Sequence, residues 1–519
     1  MELSGAVLIS VYHKPGVEKI ATAFVEHGAE IYSTGGTASY LREQGIEVTD
    51  VSDVTGFPEI LDGRVKTLHP KIFGGILADN SNEKHNQEIS DQGIKPIIGV
   101  VVNFYPFTAT VQNKDADFQE IIENIDIGGP SMLRAAAKNH QSVLPICHES
   151  QYDLVSRALE QSNADSLDAL RLPFAKTAFA YTMQYEQSIA EFFSEQSRSE
   201  QEAEFPKLLP LNFSQSLSLR YGENPHQDAA YFDLLGNEPF DFSKRQLQGK
   251  PLSYNNLMDL DAALRIIGEF QETACVIIKH SNPCGFAYGS STEDAYRRAV
   301  TTDPVSYFGG IVGFNEEVDG ATASALTESF LECIVAPDFS DEAIKIFKSK
   351  KNLRIIRCYP GELSDGGYEI RPALTGYLVQ QRDPQIAEIT ANAATKRHPT
   401  DTEMKALKLG WRLVKHTKSN AIVFTNQEQA VGVGAGQMSR VDSVKIAIRK
   451  AEEAGLSLED ASMASDAFFP FPDAVEIAYD AGIRSVIQPG GSIRDDKVIA
   501  AADERDMAMI MTGNRHFKH

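Results

Sequence analysis

Lys279 and His280 stand side by side where an apolar run, Val276-Ile-Ile278, meets the turn formers Ser281-Asn-Pro283. A buried strand ending there delivers an imidazole base and an ammonium to one edge of a sheet, the pairing needed where a proton leaves while negative charge develops. A second set of polar groups is spread over the first 140 residues. Ser10-Val-Tyr-His-Lys-Pro-Gly16 and Ser33-Thr-Gly-Gly-Thr37 each follow an apolar run and open into a helical pattern, offering backbone N–H groups, hydroxyls and Lys14 to a phosphate. Gly63-Arg-Val-Lys-Thr67 adds Arg64, Lys66 and Thr67, and Asn103-Phe-Tyr-Pro-Phe107 ends a third apolar run with Asn103 and Tyr105. Asp126 precedes a helical pattern whose first turn suits Pro130, and Arg134 and Lys138, four residues apart, fall on one of its faces.

Further along, Arg220-Tyr-Gly-Glu-Asn-Pro-His-Gln227 offers a guanidinium that can grip a phosphate with two hydrogen bonds. Gly432-Val-Gly-Ala-Gly436 resembles a dinucleotide loop, but the acidic residues about 20 positions on, Glu452 and Glu453, sit in a helical pattern and not at a strand end. A glycine-rich approach to another ligand, with Arg440 on a phosphate, fits better. Ser465-Asp-Ala-Phe-Phe-Pro-Phe-Pro472 reads as an exposed aromatic cluster able to stack a flat heterocycle, and Gln488-Pro-Gly-Gly-Ser-Ile493 as one more glycine-rich turn.

The elements that must position these groups alternate. Ala6–Val11, Ala29–Tyr32 and Ile97–Asn103 read as strands, and Val17–His27 and Thr37–Gln44 as helices. That alternation predicts a parallel sheet covered on both faces, with ligands at the carboxyl ends of its strands. Ala178–Glu195 reads as a helix, and the polar stretch Ser194–Glu204, followed by Pro206 and Pro210, as a joint near residue 200. The remaining residues are again mixed α/β, with strands at Cys275–Ile278, Gly310–Gly313 and Ala421–Phe424, helices at Thr402–Lys415 and Ser443–Glu453, and no repeat of period 20 to 50. Two lobes of about 150 residues each fit that length.

At 519 residues the chain is too long for one core, and its 42% hydrophobic and 23% charged composition is that of a folded protein. Its net charge of −23 excludes a broadly basic nucleic-acid surface, so anions must be held in local pockets. The five cysteines form neither a CxxC pair nor a zinc spacing, no segment reads as a leader or membrane span, and the chain is read as cytoplasmic.

These motifs together resemble one family, the bifunctional purine-biosynthesis enzyme that is both aminoimidazole-carboxamide ribonucleotide (AICAR) formyltransferase and inosine-monophosphate (IMP) cyclohydrolase. The resemblance runs from Gly35-Gly-Thr37 and Val65-Lys-Thr-Leu-His-Pro70 through Asp126-Ile-Gly-Gly129, Ala135-Ala-Ala-Lys-Asn-His140 and Arg220–Gln227 to Lys279-His280, Ser465–Phe471 and Asn514-Arg-His-Phe517. It implies a methylglyoxal-synthase-like cyclohydrolase domain over residues 1–200, with its core in 1–145, and a two-lobed, cytidine-deaminase-like formyltransferase over 201–519. It further implies that Tyr12, His13, Lys14, Thr34, Gly35, Gly36, Thr37, Arg64, Lys66, Thr67, Asn103 and Asp126 hold IMP or its formylated precursor FAICAR, with Lys138 as acid/base helped by Lys66, Tyr105 and Asp126. In the second half His280 is implied as base and Lys279 as stabiliser of the transition state. Arg220, Tyr221, Gly309, Asp338, Asn420 and Arg440, with His280, are implied for AICAR, and Val441, Phe468, Ser492, Ile493 and Arg515 for 10-formyltetrahydrofolate.

One departure is visible: the family often has Ser-Asp-Lys-Thr-Gly where this chain has Tyr12-His-Lys-Pro-Gly16, which changes the side-chain contacts at positions 12 and 13 but leaves backbone contacts there available. The resemblance also implies a homodimer, no metal and no tightly bound cofactor, the folate being a co-substrate. Two other readings compete. A nucleotide-binding sensor would bind without turnover, and a zinc deaminase is disfavoured because Pro283-Cys284 has neither a CxxC partner nor a preceding HxE.

Overall fold

The computed structural model describes residues 3–161, 164–196, 205, 209, 211–234, 239–363, 367–384, 386, 389 and 393–519. The chain divides into two compact units, Met1–Asn212 and Phe213–His519. The polar joint expected near residue 200, with Pro206 and Pro210, falls largely outside the described residues.

The first unit is built on five parallel strands: β1 (Ala6–Val11), β2 (Glu30–Ser33), β3 (Thr49–Asp50), β4 (Ile97–Asn103) and β5 (Leu144–Ile146). They lie in the order β3-β2-β1-β4-β5. Side chains alternate across β1, so Ala6 and Leu8 enter one core with the helices Pro70–Leu77 and Gly128–Lys138, while Val7, Ile9 and Val11 enter another with the helix Val17–Glu26. The strand order reverses between β1 and β4, which opens a crevice at their carboxyl ends.

The helix expected from Ala178 runs instead from Ala164 to Gln196 with Pro173 inside it. Burial of Phe174, Ala175, Ala178, Tyr185 and Phe192 along its length offsets the hydrogen bond and clash that proline costs, about 3 kcal/mol, since each large apolar side chain contributes about 1.5–3 kcal/mol.

The strands of the second unit are β6 (Phe213–Leu219), β7 (Ala229–Leu234), β8 (Gln246–Gln248), β9 (Ala274–Lys279), β10 (Asn282–Tyr288), β11 (Ile311–Phe314), β12 (Cys333–Ala336), β13 (Arg354–Arg357), β14 (Tyr368–Ala373), β15 (Gly376–Gln381), β16 (Ile422–Thr425), β17 (Ala430–Gly434), β18 (Ser462–Ser465), β19 (Ser485–Gln488) and β20 (Ala508–Met511). Two hairpins, β6–β7 and β14–β15, accompany two sheets ordered β10-β9-β11-β12-β13-β8 and β17-β16-β18-β19-β20.

The two sheets share one plan. In each, a helix (Tyr254–Ile267 or Asp401–Lys415) leads into an antiparallel hairpin, a helix, and three further strands, of which the first is antiparallel to the hairpin's inner strand and the others parallel. Each element of the second sheet recurs about 150 residues after its counterpart. The second unit is therefore duplicated, at a period far longer than 20 to 50 residues. One apolar core, including Trp411, draws on both sheets and both leading helices. Among the described residues, no helix is long and apolar enough to cross a membrane.

Candidate active sites

In the first unit, the crevice between β1 and β4 is closed by Asn103. Its Oδ1 accepts the backbone N–H groups of Tyr12 (2.6 Å) and His13 (3.0 Å), and its Nδ2 donates to the His13 carbonyl (3.0 Å). Those two N–H groups are thus engaged by the protein, whatever side chains stand at positions 12 and 13. Thr37 ties the neighbouring helix to the same edge, exchanging hydrogen bonds with the N–H and C=O of Val11 (3.1 and 2.9 Å). Lys14 and Lys66 converge on the Gly35-Gly36 turn: a methyl on Gly36 would lie 3.7 Å from Lys14 Cε, and one on Gly35 3.9 Å from Lys66 Nζ. Thr67 reaches the next loop, its Oγ1 only 2.9 Å from where a Gly128 side chain would begin.

Asp126 belongs to this cluster. Its Oδ1 accepts the Gly129 N–H at 2.8 Å. Burial raises its carboxyl above the ordinary carboxylate range, against hydrogen bonds from the backbone of Gly129 and Tyr105 and the charge of Lys66. Carboxylates attend the cations: Glu59 lies 3.7 Å from Lys66, and Glu123 pairs with Arg64. Tyr185, buried so that its phenol is pushed up to about 12, receives the Asp126 N–H at 2.8 Å and donates to the Asn124 carbonyl at 3.0 Å.

Lys138 is not brought to this cluster within its own chain. The helix Gly128–Lys138 starts beside Asp126, and ten residues at about 1.5 Å each carry Lys138 roughly 15 Å along its axis. There Lys138 and Arg134, on one face as their spacing predicts, line an open cavity of about 350 Å³ with Phe73, Leu77 and Phe179.

In the second unit, β9 and β10 are joined by two residues only, His280 and Ser281, with Lys279 paired to Asn282. Both turn residues have positive φ, 53° and 60°, as a type I′ turn requires. For side chains larger than glycine this conformation costs roughly 1–2 kcal/mol per residue. The turn is held by the Ser281 N–H donating to Asp259 Oδ1 at 2.6 Å. His280 is exposed at the tip, while Lys279 donates to the Phe308 carbonyl at 2.6 Å, beside Gly309. Lys279, Asn282, Cys284, Asp303 and Lys450 line a cavity of about 180 Å³. Burial pushes the Cys284 thiol up to about 12, so it stays neutral.

Asn282 joins the two halves, its Oδ1 accepting the Lys418 N–H at 2.8 Å. Two residues on, Asn420 donates to the carbonyls of Gln437 (2.9 Å) and Met438 (3.1 Å). Arg440 then binds the fully buried Asp466 at 2.6 Å, and Ser419 hydrogen-bonds the other oxygen of that carboxylate. Among the described residues, no three His, Cys, Asp or Glu side chains are grouped to hold a metal ion.

Comparison with known proteins shows the family to which the chain belongs. Residues 16–131 match the MGS-like domain family, and residues 136–450 the AICARFT/IMPCHase bienzyme family. Two relatives, each named bifunctional purine biosynthesis protein PurH, from Halalkalibacterium halodurans and Shouchella clausii, are both 49% identical over 99% of this chain and 99% of their own length. The chain belongs to the AICARFT/IMPCHase bienzyme family.

It is an AICAR formyltransferase and IMP cyclohydrolase of purine biosynthesis, an α/β protein with an MGS-like parallel-sheet domain at its amino end. A solved structure titled "Crystal structure of ForH" is 34% identical and covers 38% of this chain and 100% of its own, with a TM-score of 0.34.

The remaining residues expected to serve the bienzyme's transferase are scattered over the surface of the second unit. Arg220 is exposed over the Tyr221 ring, and exposed Asp338 faces Arg357 at 3.8 Å. Val441 and Ser492 are half-buried, Ile493 is 98% exposed, and Arg515 lies over the Phe517 ring. The expected exposed aromatic cluster is only partly so: Phe469 is buried in the core of the second sheet, Phe468 is half-buried and Phe471 is exposed beneath Arg494. A three-phenylalanine run cannot show which ring the sheet will take. Sequence reasoning missed Tyr185, Glu59, Asp259, Asn282 and Asp466, which lie in other elements than the groups they hold. Asn282, in the quoted Asn-Pro turn, and Asp466, in the quoted Ser465–Pro472 segment, carried a local signal.

Proposed function

We propose that the two activities are divided between the units, cyclisation in the first and formyl transfer in the second, with each lobe of the second taking a cytidine-deaminase-like fold. The observation that supports the division is that each set of candidate residues is held by hydrogen bonds inside its own unit: Asn103 and Thr37 around β1 and β4, Asn282 and Asn420 between the two sheets.

In formyl transfer the 5-amino group of AICAR is a weak nucleophile, because its lone pair is conjugated into the ring and carboxamide. Its nitrogen attacks the formyl carbon of the co-substrate 10-formyltetrahydrofolate while His280 accepts a proton from it and Lys279 stabilises the oxyanion. The carbon–N10 bond then breaks, N10 gains a proton, and tetrahydrofolate and FAICAR leave. Arg220, Tyr221, Gly309, Asp338, Asn420 and Arg440 hold AICAR; Val441, Phe468, Ser492, Ile493 and Arg515 hold the folate. No metal or tightly bound cofactor takes part in this scheme.

In cyclisation the carboxamide nitrogen of FAICAR attacks its formyl carbon and water is lost. Lys14, Thr34, Gly35, Gly36, Thr37, Arg64 and Thr67 hold the nucleotide, and Lys66, Tyr105 and Asp126 attend the proton transfers. Lys138 can serve as acid/base there only from a second copy of the chain, given its distance in its own. That agrees with the homodimer we propose, in which a transferase site shared between copies would also cover Ile493 and the 102% exposed Met438. The protein is placed in the cytoplasm, with neither nucleic acid nor membrane as partner. The test is an absorbance assay with AICAR and 10-formyltetrahydrofolate: Asp126→Asn should release tetrahydrofolate at the normal rate while IMP formation falls about 10²-fold. Loss of both together would refute the division.

A further inference from the structure

Asp259 has no part in the chemistry above, yet it grips the residue next to the proposed base. It sits on the helix Tyr254–Ile267, half-buried, and its Oδ1 accepts both the N–H and the hydroxyl of Ser281, at 2.6 and 3.3 Å. That N–H belongs to the peptide between His280 and Ser281, so its direction fixes the torsions on either side of it. His-Ser has little intrinsic preference for a turn with two positive φ values, which Asn-Gly or Asp-Gly favours strongly. Without an outside acceptor the turn is free to relax, and the His280 Cβ would turn with it. A charge-assisted bond to a carboxylate is a strong form of that acceptor.

The same helix face does a second job. Asn255, one turn before Asp259, donates to the Glu223 carbonyl at 3.3 Å, inside the Arg220–Gln227 segment. One face of one helix therefore holds both the turn bearing His280 and the loop that follows Arg220 and Tyr221.

We propose that Asp259 is a positioning residue for formyl transfer, fixing the left-handed His280–Ser281 turn so that the imidazole meets the AICAR amine. This rests on His280 being the base. Because Asp259 acts through geometry, removing it moves a reacting group without removing a binding group, so the effect falls on kcat. A displacement near 1 Å costs on the order of 10²-fold in rate.

The experiment is steady-state kinetics of formyl transfer in the full chain. Asp259→Ala should lower kcat by about 10- to 100-fold with the KM for AICAR changed less than about twofold. Asp259→Asn, which keeps an oxygen acceptor for the Ser281 N–H, should stay within about threefold of the parent. Ser281→Gly placed in the Asp259→Ala background should recover most of the loss, because glycine adopts positive φ freely. If the alanine variant does not fold, Asp259→Glu, which displaces the carboxylate by one methylene, should show the same fall in kcat. In a His280→Ala background, Asp259→Ala should cost nothing further. Normal kcat in Asp259→Ala, equal damage from Asp259→Asn, or no recovery with Ser281→Gly overturns the positioning role while leaving the base assignment standing. Normal transfer by His280→Ala alone removes the base assignment, and the positioning role with it.

Discussion

Apart from the edge strand β8, which only the first carries, the two sheets of the second unit have the same strand order and directions but place their polar groups at different points. In the first, the hairpin is closed by a two-residue turn whose tip is His280, with Lys279 at the end of β9. In the second, the equivalent strands β16 and β17 are joined by Asn426–Gln429, where Asn426 Oδ1 accepts the N–H groups of Glu428 (2.9 Å) and Gln429 (2.8 Å). That turn caps itself and none of its residues has positive φ. The second sheet places its polar groups instead on the approach to β16, Lys418–Asn420, and at the start of the helix Arg440–Ala454. One scaffold thus offers a strained hairpin tip, which we propose serves proton transfer, in one copy and polar loops, which we propose bind substrate, in the other. Duplication preserves the packing of apolar strands; the loops are free to diverge.

The largest expected effect on this contrast comes from the second sheet's charge pair. Arg440→Ala would leave the fully buried Asp466 carboxylate without its cation, destabilising the second unit by about 3–5 kcal/mol. The chain's one tryptophan, Trp411, is buried in the core of that unit, so its fluorescence during urea unfolding reads the change directly. Arg440→Ala with Asp466→Ala should recover much of the loss.

Next comes the ionic link between the halves. Glu269, just before β9, accepts Lys415 Nζ at 2.6 Å and His416 Nε2 at 3.0 Å, both from the end of the second leading helix. Burial alone would raise the Glu269 carboxyl, but His416 and Lys415 hold it down to about 2; burial pushes the His416 imidazole down to about 4. A histidine of depressed pKa binds its proton sooner when unfolded, so stability falls as pH drops from 6.5 towards 4, by about 2–3 kcal/mol. The carboxylate adds a further loss below its ordinary range of about 4.5. Urea midpoints between pH 7 and 4 should show the fall, and His416→Gln should flatten its upper part. A flat profile in the parent chain contradicts the link.

The smallest effect is expected at the counterpart turn. Asn426→Ala removes two hydrogen bonds to backbone and should cost about 1 kcal/mol in stability, with the rate of formyl transfer unchanged.

Strands such as Ala6–Val11 and Ile97–Asn103 were legible because a fully buried parallel strand must be a short apolar run. β3, two residues long, carries no pattern. Two lobes of about 150 residues were legible from length, but their likeness to each other was not, because a buried strand asks only for apolar residues, and helices of 11 and 15 residues serve the same place in the two halves. The position of Lys138 was computable: ten residues of helix after Gly128 separate it from Asp126 by about 15 Å. Asp259 was not, since 22 residues and a change of element separate it from Ser281, and only the packing of the helix against the hairpin brings them together.

The most direct test of the contrast between the sheets is the rate of tetrahydrofolate release by His280→Ala beside Asn426→Ala, with IMP formation from supplied FAICAR followed in both. The expected result is that His280→Ala loses at least about 10²-fold in formyl transfer while Asn426→Ala keeps the parent rate, and that both cyclise FAICAR normally. Equal transfer rates in the two variants would contradict it.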